Sequence, residues 1–185
     1  IQLVYLIRHP CGNVASQLRG QRQKLMPSGR LSVVRELLRA HNPTLANQLG
    51  DEVERFDDLR KLALLWRIDV EVAIEHMNNT KSGLVVVYEE LCHKPLETLE
   101  VVLRHYGLSK HEQMLNFLEE SQSESVSRRV SYGEVATHQY FSVFRNPIQS
   151  ANKWREELST DQQAAVLELV NDSPAYRFAA DRGYW

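Results

Sequence analysis

The chain has 185 residues, a formal net charge of −2 and 43% hydrophobic residues, which is enough for one folded domain with its own core. The near-neutral charge excludes the broad basic surface of a nucleic-acid-binding protein, although a local phosphate site is compatible with it. No apolar run reaches membrane-spanning length and no signal peptide is visible, which favours a cytoplasmic protein without a membrane span. Oligomeric state stays open.

The two cysteines, Cys11 and Cys92, match no metal-binding or redox spacing. The sequence therefore predicts free thiols, which favours a reducing compartment, and it predicts no metal site.

Residues 3–16 predict a short apolar strand with Arg8 at its carboxyl end, followed by a helix that begins at Pro10. In open α/β sheets, ligands lie outside the carboxyl ends of strands, beside the helix N-termini that follow. A helix N-terminus favours an anion, and Arg8 can donate paired hydrogen bonds to a phosphate. Ser16, about two turns into the helix, can add a hydroxyl. The spacing suggests a phosphate site; the alternative is an ordinary surface arginine and serine.

Residues 21–50 are polar and contain the breakers Pro27, Gly29 and Asn42-Pro43. They predict a loop, a helix over 31–40 and a second loop. Four basic side chains in or just before this stretch could face an anionic ligand, but a solvated surface is the favoured interpretation. These residues are Arg19, Arg22, Lys24 and Arg30.

Apolar residues at helical spacing predict a long amphipathic helix over 56–77, with Trp66 in the core. After Gly83, the β-branched run 84–88 is typical of a strand buried on both faces of a parallel sheet. Two strands that flank a long helix indicate a right-handed crossover unit and hence an α/β fold.

The remainder of the chain predicts further helices. Pro95 begins a helix over 96–106 that Gly107 ends. Ser159 and Gln162 form a capping box for a helix over 160–171. The other expected elements are a helix over 110–119, a loop over 121–137, a helix over 149–158 and a short helix that begins at Pro174.

Three separated segments carry a family resemblance. The first is Arg8 with Ser16 eight residues on; the second runs from Tyr88-Glu-Glu-Leu91 through Pro95 to Gly107; the third is the Lys153-Trp154 helix with the closing Gly183-Tyr184. In this order they resemble the sulfotransferases that use 3′-phosphoadenosine 5′-phosphosulfate (PAPS), particularly the branch with the tyrosylprotein and related bacterial enzymes. The first segment resembles that family's 3′-phosphate motif.

The resemblance implies a single domain over residues 1–185 with a helix-rich, three-layer, P-loop-NTPase-like α/β fold and a parallel sheet. It also implies that part of the domain lies elsewhere. The Gly/Ser/Thr-rich loop that cradles the 5′-phosphosulfate has no counterpart in this sequence. We expect that loop and its strand upstream of Ile1, with the Glu or His that serves as catalytic base. His9 departs from the Asp or Asn that is common in the family and is expected to shape the turn.

By resemblance, Arg8 and Ser16 bind the 3′-phosphate, Tyr88 lies near the adenosine and Lys153 reaches the phosphates. A buried tyrosine bonded to backbone is the alternative for Tyr88, and a solvated lysine is the alternative for Lys153.

Residues 140–145 resemble the loop that the family folds over its nucleotide, which makes Ser142 and Arg145 further candidate contacts. Trp154 is expected in the core, where it anchors its helix. Glu89 is expected to pair with a nearby base or to cap a helix.

The implied reaction is transfer of a sulfuryl group from PAPS to an acceptor hydroxyl or amine, leaving adenosine 3′,5′-bisphosphate (PAP). This in-line displacement is similar to phosphoryl transfer and depends on positioning and cationic donors. A base deprotonates the acceptor, and no metal is required. The acceptor itself does not follow from the fold.

Two other functions remain open. Arg8-His9 also resembles the Arg-His-Gly start of histidine phosphatases, in which the His is phosphorylated; here Pro10 follows instead of Gly. That family also needs a second catalytic His, usually beside Gly, whereas His138 precedes Gln139. A non-catalytic nucleotide-binding remnant is the third possibility.

Overall fold

The computed structural model describes residues 1–122 and 146–185. Most of the predicted loop over 121–137 lies outside the described residues, and so do the candidate contacts Ser142 and Arg145.

Short helices and two strands make up the described part of the chain. In chain order these are β1 (Leu3–Ile7), α1 (Pro10–Arg22), a 3-10 turn (Gly29–Val33), α2 (Val34–His41), α3 (Pro43–Leu49), α4 (Glu52–Arg55), α5 (Asp58–Asn79), β2 (Gly83–Val87), α6 (Tyr88–His93), α7 (Pro95–Tyr106), α8 (Glu112–Gln122), α9 (Pro147–Asn152), α10 (Trp154–Glu157), α11 (Thr160–Glu168) and α12 (Pro174–Ala180).

The two strands pair in parallel, from Leu3 opposite Gly83 to Ile7 opposite Val87. This pairing confirms the predicted α/β character with a parallel sheet. The expectation that the second strand is buried on both faces is wrong for its first half, since only Val86 and Val87 are buried. The cause is the width of the described sheet: with two strands, each has one edge without a partner strand.

Helix α5 forms the centre of the core, where it packs against α1, α2, α11, α12 and both strands. Its buried face includes Leu62, Ala63 and Trp66, which confirms the predicted core position of Trp66. Burial of a side chain of this size stabilises the fold by about 1.5–3 kcal/mol. The helix begins two residues later than predicted because Asp57 caps it by accepting the backbone N–H of Arg60.

The structure is helical at two places where the sequence predicts a loop or the end of a strand. Asn42-Pro43, interpreted as a breaker, begins α3: the Asn42 side chain accepts the N–H of Leu45, and Pro43 takes the first helical position. Tyr88 does not end the second strand but opens α6, so the residues after the strand turn at once into a helix.

In the C-terminal third of the chain, the observed helices lie closer to the predicted ones. The predicted helix over 149–158 is two short helices, α9 and α10, joined at Lys153, which keeps helical backbone angles. The capping box of Ser159 and Gln162 is confirmed at the start of α11. Gly107 ends α7 in the left-handed conformation, with φ of 68°, as a C-terminal glycine does.

Gly83 is needed where α5 passes the start of β2. A Cβ atom at this position would lie 2.8 Å from the Met77 carbonyl oxygen, inside van der Waals contact. The glycine therefore lets the chain leave α5 and enter the sheet directly.

Within residues 1–122 and 146–185, no helix has both the length and the apolar character that crossing a bilayer requires.

Candidate functional site

The site is built around Arg8, which follows β1 at the carboxyl end of the sheet. Its guanidinium carbon lies 4.9 Å from the ring centroid of Tyr88, in a cation–π arrangement. One terminal nitrogen, Nη2, donates to the Ser150 carbonyl at 2.8 Å. Arg8 therefore joins the ends of the two strands to helix α9.

The guanidinium of Arg8 retains donor capacity. Its Nε is buried and has no hydrogen-bond partner among the described residues. Among the described residues, Arg8 also forms no ion pair with a carboxylate. A buried donor without a partner costs about 1–3 kcal/mol. An anion that accepts from this group would remove that cost.

Gly12 provides the room for Arg8. A Cβ atom there would lie 2.9 Å from Arg8 Nε and 3.2 Å from Cδ1 of Trp154. Any side chain at position 12 would therefore force the guanidinium of Arg8 to shift.

The N-terminus of α1 has fewer free N–H donors for an anion than the sequence predicts. Pro10 has no N–H, and the N–H of Cys11 donates to Nδ1 of His9 at 3.2 Å. The N–H of Asn13 donates to the His9 carbonyl inside the helix. Most of the first-turn donors are therefore absent or satisfied, and the positive charge at this end comes from Arg8.

His9 shapes the turn, as predicted, and is 4% exposed. Its ring stacks on Trp154, with centroids 4.3 Å apart and planes 8° from parallel. Burial, with Arg155 and Arg8 nearby, lowers the pKa of His9 from 6.5 to about 3. The imidazole is neutral, which leaves Nδ1 free to accept from Cys11.

The peptide bond between Arg8 and His9 is held from both sides. The indole N–H of Trp66 donates to the Arg8 carbonyl at 3.0 Å. The His9 N–H donates to Oε1 of Glu89 at 3.1 Å, and the indole of Trp185 donates to Oε2 of the same carboxylate at 2.9 Å. The expectation that Glu89 pairs with a base is wrong among the described residues. The alternative that it caps a helix is closer to the structure, because Glu89 accepts the N–H of His9, the N-cap residue of α1, as well as the Trp185 indole N–H.

Ser16 lies one helical turn after Gly12, on the face of α1 that approaches Arg8. It is half-buried and has an interaction partner of its own. Farther along this face, Arg19 forms an ion pair with Glu157 at 2.5 Å. That Arg8 and Ser16 together bind a phosphate stays a prediction.

Lys153 is 52% exposed, and its Nζ lies 3.1 Å from Oε1 of Glu157. It is three residues beyond Ser150, whose carbonyl binds Arg8, but its amine faces α10. The neighbouring Trp154 is buried, which confirms its predicted place in the core. Arg155 covers the other side of the Trp154 ring, with its guanidinium carbon 4.4 Å from the centroid.

Tyr88 is half-buried, and its hydroxyl lies beside the Cys92 thiol. Burial and this thiol raise the pKa of Tyr88 to about 12, so it stays protonated. Burial also raises the pKa of Cys92. The two cysteines are free, as predicted, and both are buried.

A cavity of about 480 Å³ begins beside this pair. Arg8, Ser16 and Lys153 are not among its lining residues. Its walls come from α6, α7, α8 and α9 and include Cys92, Leu96, Leu118, Asn146 and Ile148. A volume of this size is ordinary for a small-molecule site.

Sequence reasoning missed three residues of this arrangement: Gly12, Ser150 and Trp185. A glycine in the first turn of a helix is a usable signal, because it weakens the helix unless something approaches closely. Ser150 acts through its carbonyl and Trp185 through a contact with Glu89, 96 positions away. Neither leaves a local pattern.

Among the described residues, no group of three or more His, Cys, Asp or Glu side chains is arranged to hold a metal ion. Comparison of the chain with models of protein families, with curated proteins and with solved structures finds no match in any of the three.

Proposed function

We propose that this chain binds the nucleotide of a PAPS-dependent sulfotransferase, with the P-loop-like fold that such a function implies. PAPS would be the sulfuryl donor and PAP the product. The support comes from this chain's own geometry and from the order of its three sequence motifs.

The observation that carries the proposal is the state of Arg8. A guanidinium stands at the carboxyl end of a parallel strand, where ligands of α/β proteins bind. It has no carboxylate partner in the described part of the chain, and its buried Nε has no acceptor. Its orientation is fixed by the Ser150 carbonyl and the Tyr88 ring. A preorganised, unneutralised arginine suits a phosphate dianion.

The remaining groups fit a nucleotide around this arginine. In the proposal, the 3′-phosphate contacts Arg8 and the Ser16 hydroxyl. The adenosine lies near Tyr88, and the 480 Å³ cavity that begins at Cys92 is large enough for a nucleoside. Lys153 reaches the phosphates after leaving Glu157, since a half-exposed ion pair costs little to break.

The reaction would proceed by in-line displacement at sulfur. The acceptor oxygen or nitrogen forms a bond to sulfur while the bond from sulfur to the 5′-phosphate oxygen breaks. A base takes the acceptor's proton, and the electron pair leaves with PAP. In this chain, Arg8 would hold the nucleotide in place and would not itself take part in proton transfer.

Titration calorimetry with PAP tests the proposal. Loss of a charge-assisted contact in Arg8→Ala should cost about 1.5–3 kcal/mol of binding free energy, which raises the dissociation constant roughly ten- to hundredfold. Arg30→Ala is the matched control, because Arg30 forms an exposed ion pair with Asp69. Equal affinities of wild type and Arg8→Ala would remove Arg8 from the site.

The alternative in which His9 is a phosphorylated nucleophile has little geometric support. The ring is buried, its Nδ1 accepts from Cys11, and its faces and edges contact Trp154 and Trp185. An attacking imidazole nitrogen needs open space for a phosphoryl group. Phosphatase activity that His9→Ala abolishes would favour this alternative over ours.

A further inference from the structure

Trp185 links the far end of the described chain to the Arg8 turn. Its indole N–H donates to Oε2 of Glu89 at 2.9 Å, and Oε1 of that carboxylate accepts the His9 N–H at 3.1 Å. Glu89 is 5% exposed, so water does not readily replace either donor.

The contact is supported by packing as well as by hydrogen bonding. The Trp185 ring lies edge-on to His9, with centroids 5.4 Å apart, and 5.9 Å from the ring of Trp66. Trp66 in turn holds the Arg8 carbonyl. Two tryptophans therefore hold the peptide unit between Arg8 and His9. Trp66 donates directly to its carbonyl, and Trp185 holds its N–H through Glu89.

We propose that Trp185 is a positioning residue for nucleotide binding: through Glu89 it fixes the plane of the Arg8–His9 peptide and thereby the direction of the Arg8 side chain. This inference rests on the proposed function. A peptide plane held at both its carbonyl and its N–H cannot rotate without breaking a buried hydrogen bond. The side chain that starts at the same Cα keeps its direction as a result.

Trp185→Phe tests the link because it removes the N–H and keeps an aromatic ring. Amide hydrogen exchange followed by NMR reports the His9 N–H without any nucleotide, and PAP titration reports the site. We expect faster exchange at His9 and about a five- to tenfold weaker PAP affinity, the effect of losing one hydrogen bond. Tyr176→Phe is the control: it alters a ring 5.2 Å from Trp185 but leaves Glu89 alone.

A double-mutant cycle separates positioning from general stability. If Trp185 acts through Arg8, Trp185→Phe should weaken PAP binding in the wild-type background and have no effect in the Arg8→Ala background. Glu89→Met is the second variant, for the case that Trp185→Phe does not fold. It removes both oxygens that accept from the His9 N–H and the Trp185 indole, so it should reproduce the faster exchange.

Three results would overturn the inference: unchanged exchange at His9, unchanged PAP affinity in Trp185→Phe, or an equal loss of affinity with and without Arg8. Failure of the proposed function is recognised separately. Wild-type protein that binds no PAP would refute that function, and the exchange rate at His9 would then decide by itself whether Trp185 fixes the peptide.

Discussion

Gly12 lets α1 come close to Arg8, which makes it a sensitive point of the site. Gly12→Ala should favour the helix by up to about 1 kcal/mol through propensity alone. The new Cβ would lie 2.9 Å from Arg8 Nε, so the flexible guanidinium has to move. We expect PAP affinity to fall while the thermal midpoint stays close to that of wild type.

Gly29→Ala is the control for that substitution, because a Cβ atom there meets nothing within 4 Å. Calorimetry and thermal unfolding of both variants give the comparison. A Gly12→Ala protein that binds PAP as tightly as wild type would show that the guanidinium position does not matter for the nucleotide.

His9 makes stability depend on pH in a defined direction. Its pKa falls from 6.5 in the unfolded chain to about 3 in the fold, so the unfolded state binds more protons between these values. The stabilisation from the neutral ring is fully present above pH 6.5 and is lost as pH falls toward about 3. His9→Asn keeps a side-chain acceptor at the helix N-cap and should flatten this dependence.

Urea unfolding at several pH values measures the effect, and the slope of unfolding free energy against pH is the quantity to compare. His41→Gln serves as control because His41 is exposed. A slope in His9→Asn equal to that of wild type would mean that other groups cause the acid sensitivity.

At the scale of the element, α10 is held by the stacking of Trp154 on His9. This contact fixes the start of the helix and with it the position of Lys153. Lys153→Met should weaken PAP binding and leave the thermal midpoint nearly unchanged, because the lysine is exposed and contributes a point charge. Lys153→Arg should keep much of the affinity.

Trp154→Ala should behave in the opposite way and lower the unfolding free energy by about 3–5 kcal/mol, as loss of a buried aromatic does. Thermal unfolding and PAP titration of the three variants distinguish the two roles. If Lys153→Met binds PAP like wild type, Lys153 is a surface residue that pairs only with Glu157.

The sequence predicts best those helices that combine a periodic pattern of apolar residues with a capping residue. The long α5, the capping box before α11 and the glycine at the end of α7 all fall where the sequence indicates. Asn42-Pro43 indicates a break in the sequence pattern, although the same pair can begin a helix, and only its surroundings decide which of the two forms. Tyr88 carries a strand-forming side chain but follows the last paired residue.

At the scale of the whole molecule, the parallel pairing of β1 with β2 and the placement of Arg8 at its carboxyl end followed from the sequence. The partners of Arg8 did not, because they are a carbonyl 142 positions away and a close approach of backbone. The buried Arg67 shows the same limit: it lies on the apolar side of α5 and binds the Leu169 carbonyl across the core. Long-range polar contacts of this kind depend on the finished fold.

The 185-residue chain should bind nucleotide without transferring sulfuryl groups. Its sequence contains no Gly/Ser/Thr-rich loop of the kind that holds the 5′-phosphosulfate. A radiolabelled transfer assay with PAPS and a panel of hydroxyl and amine acceptors tests this expectation. Turnover at enzyme-like rates by this chain alone would show that the transferring groups are already present in it.

If Arg8 recognises the 3′-phosphate, its substitution must change the preference between two ligands that differ only in that group. Calorimetric titration of wild type and Arg8→Ala with PAP and with adenosine 5′-phosphate gives four affinities. We expect wild type to prefer PAP and Arg8→Ala to lose most of that preference, with the affinity for adenosine 5′-phosphate nearly unchanged. An Arg8→Ala protein whose affinity falls equally for both ligands, or a wild-type protein that binds both equally well, would contradict recognition of the 3′-phosphate by Arg8.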